Sequence, residues 1–321
     1  WEKHRGRLSR LSLQANGRFV RSTLLDGLDR PHAIVLGRDG WVYVAEAGRI
    51  VRLNPKASTV AAETVLTGLP DDGHHPLKQM LFDANGDLYL SMGAKTDHCE
   101  GKGNAAVGFP CQEMLGERAT ASIWKITSLL NRPRITVYAR GLRNAMGMVW
   151  SPTGALIVTD NGRDSISQAD KKLSDAKLPH DELNVVKQGR DYGWPYCYDN
   201  NRLNPEYRMR SKACAGKVKP AQFLPAHSAP LGIMLYPNDG EIKALRGQFL
   251  IALHGYRDTG HRVIGVNAEK MSLSREVVGG WAATDDQPMG APVELHASPS
   301  GKLYITDDRN GALLRLSNTA H

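Results

Sequence analysis

Five segments of this chain repeat one pattern: an apolar run, a turn carrying Gly, and a second β-type run. They begin at Pro31 (PHAIVLGRDGWVYVAEA), Pro76 (PLKQMLFDANGDLYLSMG), Arg143 (RNAMGMVWSPTGALIVTDNG), Ala229 (APLGIMLYPNDG through GQFLIALHG) and Ala291 (APVELHASPSGKLYITDD). Each reads as strand, tight turn, strand. Asp39-Gly40, Asn85-Gly86, Thr153-Gly154, Asp239-Gly240 and Ser300-Gly301 place Gly where a connection between antiparallel strands often needs positive φ. A third run often follows, as at Gly48–Leu53, Ser122–Ile126 and Ala312–Leu316. A unit of this kind cannot bury its apolar faces alone, and copies at roughly 45- to 85-residue spacing stack around an axis. The pattern predicts an all-β fold, a six-bladed β-propeller of four-stranded antiparallel blades, with the first blade allowed to be incomplete. Residues 1–321 read as one propeller domain, 30–321 carrying the five repeats and 1–29 the outer strands of a first or closing blade. That blade is completed either by inner strands preceding Trp1 or by the C-terminal strands.

The formal net charge is +8, but the basic residues are scattered among acids and form no single stripe, which argues against nucleic acid. No apolar stretch approaches the roughly 20 residues of a membrane-spanning helix. The four cysteines fall into two local pairs, Cys99 with Cys111 and Cys197 with Cys214. Four cysteines allow three connectivities, of which local closure of the two insertions is the least demanding. Closely spaced CxxC pairs suited to zinc are absent, as is a CxxCH haem motif. Disulfides would place the protein in the periplasm or outside the cell.

The loops leading into the innermost strands of a propeller converge on one face. Asp72-Gly73-His74-His75, Gly141-Leu142-Arg143-Asn144 and His227-Ser228 all lie just before such strands. Packing gives unrelated loops no reason to aim imidazoles and a guanidinium at a common axis, so these residues are the candidate site.

The stretches GLRN (141–144), TDNGRD (159–164), DELN (181–184), DYGWPYCY (191–198), HSAPLG (227–232) and HHPLKQMLF (74–82) occur in a fixed order. In that order they resemble the soluble quinoprotein sugar dehydrogenases that use pyrroloquinoline quinone (PQQ) and calcium, above all the sorbosone dehydrogenase-like branch. The resemblance covers nearly the whole chain. It implies that His75, seven residues before Phe82, is the general base for the sugar C1 hydroxyl, with His74 as its rival. It implies that Arg143 and Asn144 contact the anionic cofactor, and that the carbonyls of Gly162 and Arg163 ligate calcium beside it. Asp181 and Glu182 match an acidic pair associated with a second calcium, and Lys78, Arg257 and His254 are the candidates for the remaining cofactor carboxylates. The last repeat departs from the pattern. It reads GAPVEL where the branch has a GRPVDV-like stretch, so Ala291 and Val293 stand where cofactor-binding arginines are expected.

The expected activity is PQQ- and calcium-dependent oxidation of an aldose or sugar aldehyde, with an external electron acceptor such as a cytochrome or quinone. Two alternatives stay open: a propeller that binds a carbohydrate or protein without catalysis, which Ala291 favours, and a calcium-dependent lactone hydrolase. Tyr192, Trp194 and Tyr196 read as packing residues of a long loop.

Overall fold

The computed structural model describes residues 2–57, 59–101, 109–255, 257–281 and 289–318. A two-stranded ribbon, β1 (Gly6–Leu13) with β2 (Phe19–Leu28), comes first. Blade one follows with β3 (Ala33–Leu36), β4 (Val42–Ala45), β5 (Arg49–Leu53) and β6 (Glu63–Thr67). Blade two holds β7 (Met80–Phe82), β8 (Leu88–Met92), β9 (Ser122–Thr127) and β10 (Arg134–Arg140). In blade three, β11 (Ala145–Trp150), β12 (Leu156–Asp160) and β13 (Asp181–Val186) precede an inserted hairpin, β14 (Cys197–Tyr198) with β15 (Arg202–Leu203), and β16 (Gln222–Leu224) returns as the outermost strand. Blade four contains β17 (Pro230–Leu235), β18 (Gln248–Leu253), β19 (Arg262–Asn267) and β20 (Ser272–Val278), and blade five β21 (Pro292–Ala297), β22 (Leu303–Asp307) and β23 (Ala312–Leu316).

Among the described residues the fold is a β-propeller of five blades, four of them four-stranded and one three-stranded, rather than the expected six, with the separate β1–β2 ribbon leaving room for the expected incomplete first blade. The repeat pattern detects an inner hairpin, and the ribbon has none: among the described residues β1 and β2 pair only with each other. Nor do the C-terminal strands complete it, because β23 pairs with β22 inside blade five.

Blades pack face to face, so a middle strand is covered on both sides and needs an unbroken apolar run rather than an alternating one. β8 and β12 are buried at every position, whereas most of the outermost strand β20 is exposed. Separate apolar clusters fill the seams between successive blades. Trp124, Ile126 and Leu90 of blade two meet Ile50 and Ala33 of blade one, and Phe249 and Ile251 of blade four meet Ile157 and Leu183 of blade three. Full burial of each such side chain stabilises by about 1.5–3 kcal/mol, so the seams carry much of the driving force for ring formation. A further cluster lies under the insertions, where Trp194, Tyr196 and both members of the Cys99–Cys111 pair are buried. The two local disulfides are present, Cys99 to Cys111 and Cys197 to Cys214.

Four of the five predicted turn glycines have positive φ, from 77° at Gly40 to 86° at Gly86. Gly240 does not. Its place is fixed by Tyr236, whose ring would lie 2.4 Å from any Cβ added there.

Candidate active site

The loops before the innermost strands and after the second strands enclose an axial cavity of about 720 Å³. Every blade contributes: His32 from blade one, His75 from blade two, Arg143, Asn144 and Gly162 from blade three, His227 and His254 from blade four, and Val293 and Asp308 from blade five. The loops are held by acids at the ends of second strands. Asp160, closing β12, accepts the backbone N–H groups of Arg143 (2.9 Å) and Asn144 (2.7 Å). Asp307, closing β22, accepts from Ala291 N at 3.1 Å, and Glu46, just after β4, accepts from Asp29 N at 2.5 Å. The carboxylate takes up amides that would otherwise be stranded where the chain turns into the next strand.

His75 lines the cavity with its Nδ1 2.7 Å from the Ala94 carbonyl oxygen. A carbonyl only accepts, so Nδ1 carries the proton and Nε2 keeps its lone pair. Burial, reinforced by the Arg143 charge, lowers the imidazole to about 3, so the ring is neutral at physiological pH. Gly93 permits this placement, since a Cβ there would lie 2.5 Å from the His75 Cβ. His74 is exposed at the cavity rim.

Arg143 is buried, and its guanidinium is largely engaged. Nε donates to Asp97 O (3.1 Å), one Nη to Asn161 O (3.3 Å), and the other to the carboxylates of Asp97 and Asp164. Of the five guanidinium N–H groups these bonds use four, leaving one on Nη1. The Asn144 carboxamide makes no hydrogen bond within the described residues. Asp97 was not foreseen from sequence: it sits in an insertion outside the repeats, yet it joins Arg143, Arg163 and His98.

Neighbouring acids on β13 part company. Successive strand residues point to opposite faces, so Asp181 lines the axial cavity and Glu182 a second, smaller one of about 30 Å³. Asp181 accepts from Gly162 N (2.8 Å), Ala229 N (2.9 Å) and Ser228 Oγ (3.1 Å), tying blade three to blade four, and burial raises it to about 6. Glu182 is raised well above its ordinary value by burial and by the neighbouring Asp160. The small cavity is also lined by Asp160, Asp199, Asn161 and Asn204, and the buried Oδ1 atoms of both asparagines lack a hydrogen-bond partner. Gly162 borders both cavities, and a Cβ there would crowd the His180 carbonyl oxygen at 2.9 Å. Within the described residues neither the Gly162 nor the Arg163 carbonyl accepts a hydrogen bond. The Arg163 side chain turns instead to Glu206 at 2.6 Å.

Besides Glu182 and Arg163, which line the small cavity, two candidates for the cofactor carboxylates lie outside the axial cavity. Lys78 is buried, with Nζ donating to the carbonyls of Pro70 (2.8 Å) and Pro76 (2.5 Å), and burial lowers it to about 7. Arg257 is exposed and does not line the cavity. His254 does line it, with Nε2 3.0 Å from Asp308 Oδ1.

Residues 45–315 match the family described as glucose/sorbosone dehydrogenase. The chain belongs to that family. Among its relatives, the aldose sugar dehydrogenase YliI of Escherichia coli (strain K12) is 22% identical over 306 residues, spanning 89% of this chain and 68% of the relative. An uncharacterized protein of Borreliella burgdorferi is 24% identical over 190 residues, 56% of this chain, which spans about half (48%) of that relative's length. The fold is shared with the holo form of the pyranose dehydrogenase PQQ domain from Coprinopsis cinerea, at 17% identity and a TM-score of 0.71, covering 99% of this chain and 89% of that one. It is shared too with a calcium structure of a Trichoderma reesei carbohydrate-active enzyme of family AA12, at 19% identity and a TM-score of 0.69, covering 97% and 87%. For this glucose/sorbosone dehydrogenase family member, no helix among the described residues is long and apolar enough to cross a membrane.

Proposed function

We propose that this chain is a PQQ- and calcium-dependent dehydrogenase that oxidises an aldose or sugar aldehyde at C1. The observation that carries the reading is the free Nε2 lone pair of His75 in a cavity shared with Arg143, Asn144 and the Gly162 loop.

The residues present fit both groups. The cavity has room for a flat tricyclic ligand, and Arg143 and Asn144 retain donors for its oxygens. The unused carbonyls of Gly162 and Arg163 suit a hard cation beside it, and the orphaned Asn161 and Asn204 oxygens with Glu182 suit a second in the small cavity. When bound, PQQ supplies the two-electron oxidant that accepts the hydride from the sugar C1. His75 Nε2 takes the proton of the C1 hydroxyl, so that the carbon leaves as a lactone or acid-level carbonyl. The Ala94 carbonyl fixes the tautomer that makes this possible. Arg143, held by Asp97 and Asp164, presents one fixed N–H rather than a mobile charge. Turnover would need an external electron acceptor such as a cytochrome or quinone, and the two disulfides support a periplasmic or extracellular setting.

A second reading, a sugar-binding propeller without catalysis, is favoured by one observation: buried Ala291 and cavity-lining Val293 offer no cation from blade five. Titration of the cofactor-free protein with PQQ and calcium separates the two. The dehydrogenase reading expects a bound-quinone absorbance change at micromolar PQQ and dye reduction on adding an aldose. It also expects His75→Ala to abolish turnover with PQQ binding retained. Absence of PQQ binding, or full activity in His75→Ala, would overturn it.

A further inference from the structure

We propose that His254 and Asp308 form a subsite for the ring hydroxyls of a neutral sugar, and that this subsite turns away sugar acids. The proposal rests on the sugar-dehydrogenase reading only for the class of ligand.

The pair spans two blades at one wall of the axial cavity, His254 following β18 and Asp308 following β22. Their 3.0 Å contact involves Nε2 and Oδ1. With the carboxylate accepting from Nε2–H, the imidazole presents Nδ1 as an acceptor and the aspartate keeps Oδ2. Neither atom has another partner within the described residues. His32 completes this side of the cavity, close enough to Asp308 to be influenced by its charge. The wall is thus rich in acceptors.

The charge inventory sharpens this. The cations lining the cavity are Arg5, Arg30 and Arg143, and each already faces a carboxylate: Arg5 that of Glu2, Arg30 those of Asp29 and Asp71, Arg143 those of Asp97 and Asp164. Against these three stand Glu2, Asp164, Asp181 and Asp308 in the lining itself. Apart from Asp308 itself, blade five lines the cavity with Val293, which carries no charge. A ligand carboxylate placed there would meet Asp308 with no cation to offset it, and like charges at such range repel. A sugar brings several hydroxyl donors and satisfies the acceptors without that cost. As a half-exposed hydrogen bond the contact would add little to stability. Its position in the cavity, rather than its strength, is what gives it a role.

The test is equilibrium binding of D-glucose and D-glucuronate, by calorimetry or ligand-observed NMR, to the cofactor-free protein and to protein loaded with PQQ and calcium. Wild type should bind glucose about tenfold more tightly than glucuronate. Asp308→Asn should weaken glucose about tenfold and erase the preference, while His254→Gln, which can still reach Asp308, should weaken glucose less. Unchanged melting temperatures show that the variants remain folded. The subsite is overturned if wild type binds both sugars equally, if neither sugar binds in either form, or if Asp308→Asn leaves the preference intact. If the preference appears in binding but the loaded protein reduces no dye with glucose, the subsite stands and the dehydrogenase reading falls.

Discussion

At the scale of single residues, the cavity owes its shape to acids that bind backbone rather than ligand. Asp160, Asp307 and Glu46 close equivalent strands and hold the loops that present the cavity side chains. The repeat endings VTDN at 158–161 and ITDD at 305–308 carry that signal in sequence, although TDNG alone suggests only a calcium loop. His75 lends itself to a pH prediction. Its native value is about 3, below the ordinary imidazole value, so between roughly pH 6.5 and 3 the unfolded chain binds a proton that the native chain does not. Stability attributable to this residue is therefore lost as pH falls through that window. Urea denaturation at pH 7 and pH 4.5 should show wild type losing more stability than His75→Gln, and parallel losses would refute the buried neutral state.

At the scale of elements, the insertions outside the blades do more than decorate them. The Cys99–Cys111 bridge anchors the chain just after Asp97, whose carboxylate holds the Arg143 guanidinium, and Trp194 from the second insertion donates to the Asp97 carbonyl at 2.9 Å. Replacing both cysteines by serine should cost about 2–4 kcal/mol of stability and also weaken PQQ binding by freeing Arg143. A stability loss with unaltered PQQ affinity would mean that Asp97 holds its place without the bridge. The strands themselves were largely legible, since each apolar run flanking a turn Gly became a blade hairpin. Ribbon pairing was legible too, from GRLSRLSL and GRFVRSTLL, but not the blade count, because the outer strands of a blade carry no pattern that says whether inner ones exist. Motif order pointed to His75, Arg143 and Gly162, which line one cavity. It could not reveal that Lys78 spends its ammonium on two proline carbonyls, which depends on loop path, nor that Asp181 and Glu182 open into different cavities, which depends on where β13 begins.

At the scale of the whole molecule, the seams between blades set the stability. Trp124 is fully buried between blades one and two and donates its indole N–H to Ala119 O at 2.8 Å. Trp124→Ala should cost about 3–5 kcal/mol. Leu36 on β3 is 68% exposed, and Leu36→Ala should stay within about 0.5 kcal/mol. Thermal denaturation of the two variants checks the contrast, and comparable losses would show that the seams do not dominate. No blade owns the axial cavity. Five blades and the segment leading into the β1–β2 ribbon line it, so its bore depends on the spacing at every seam between them. A methyl group gained or lost between two distant sheets therefore widens or narrows a bore it never touches, and residues far from the axis share in setting its width.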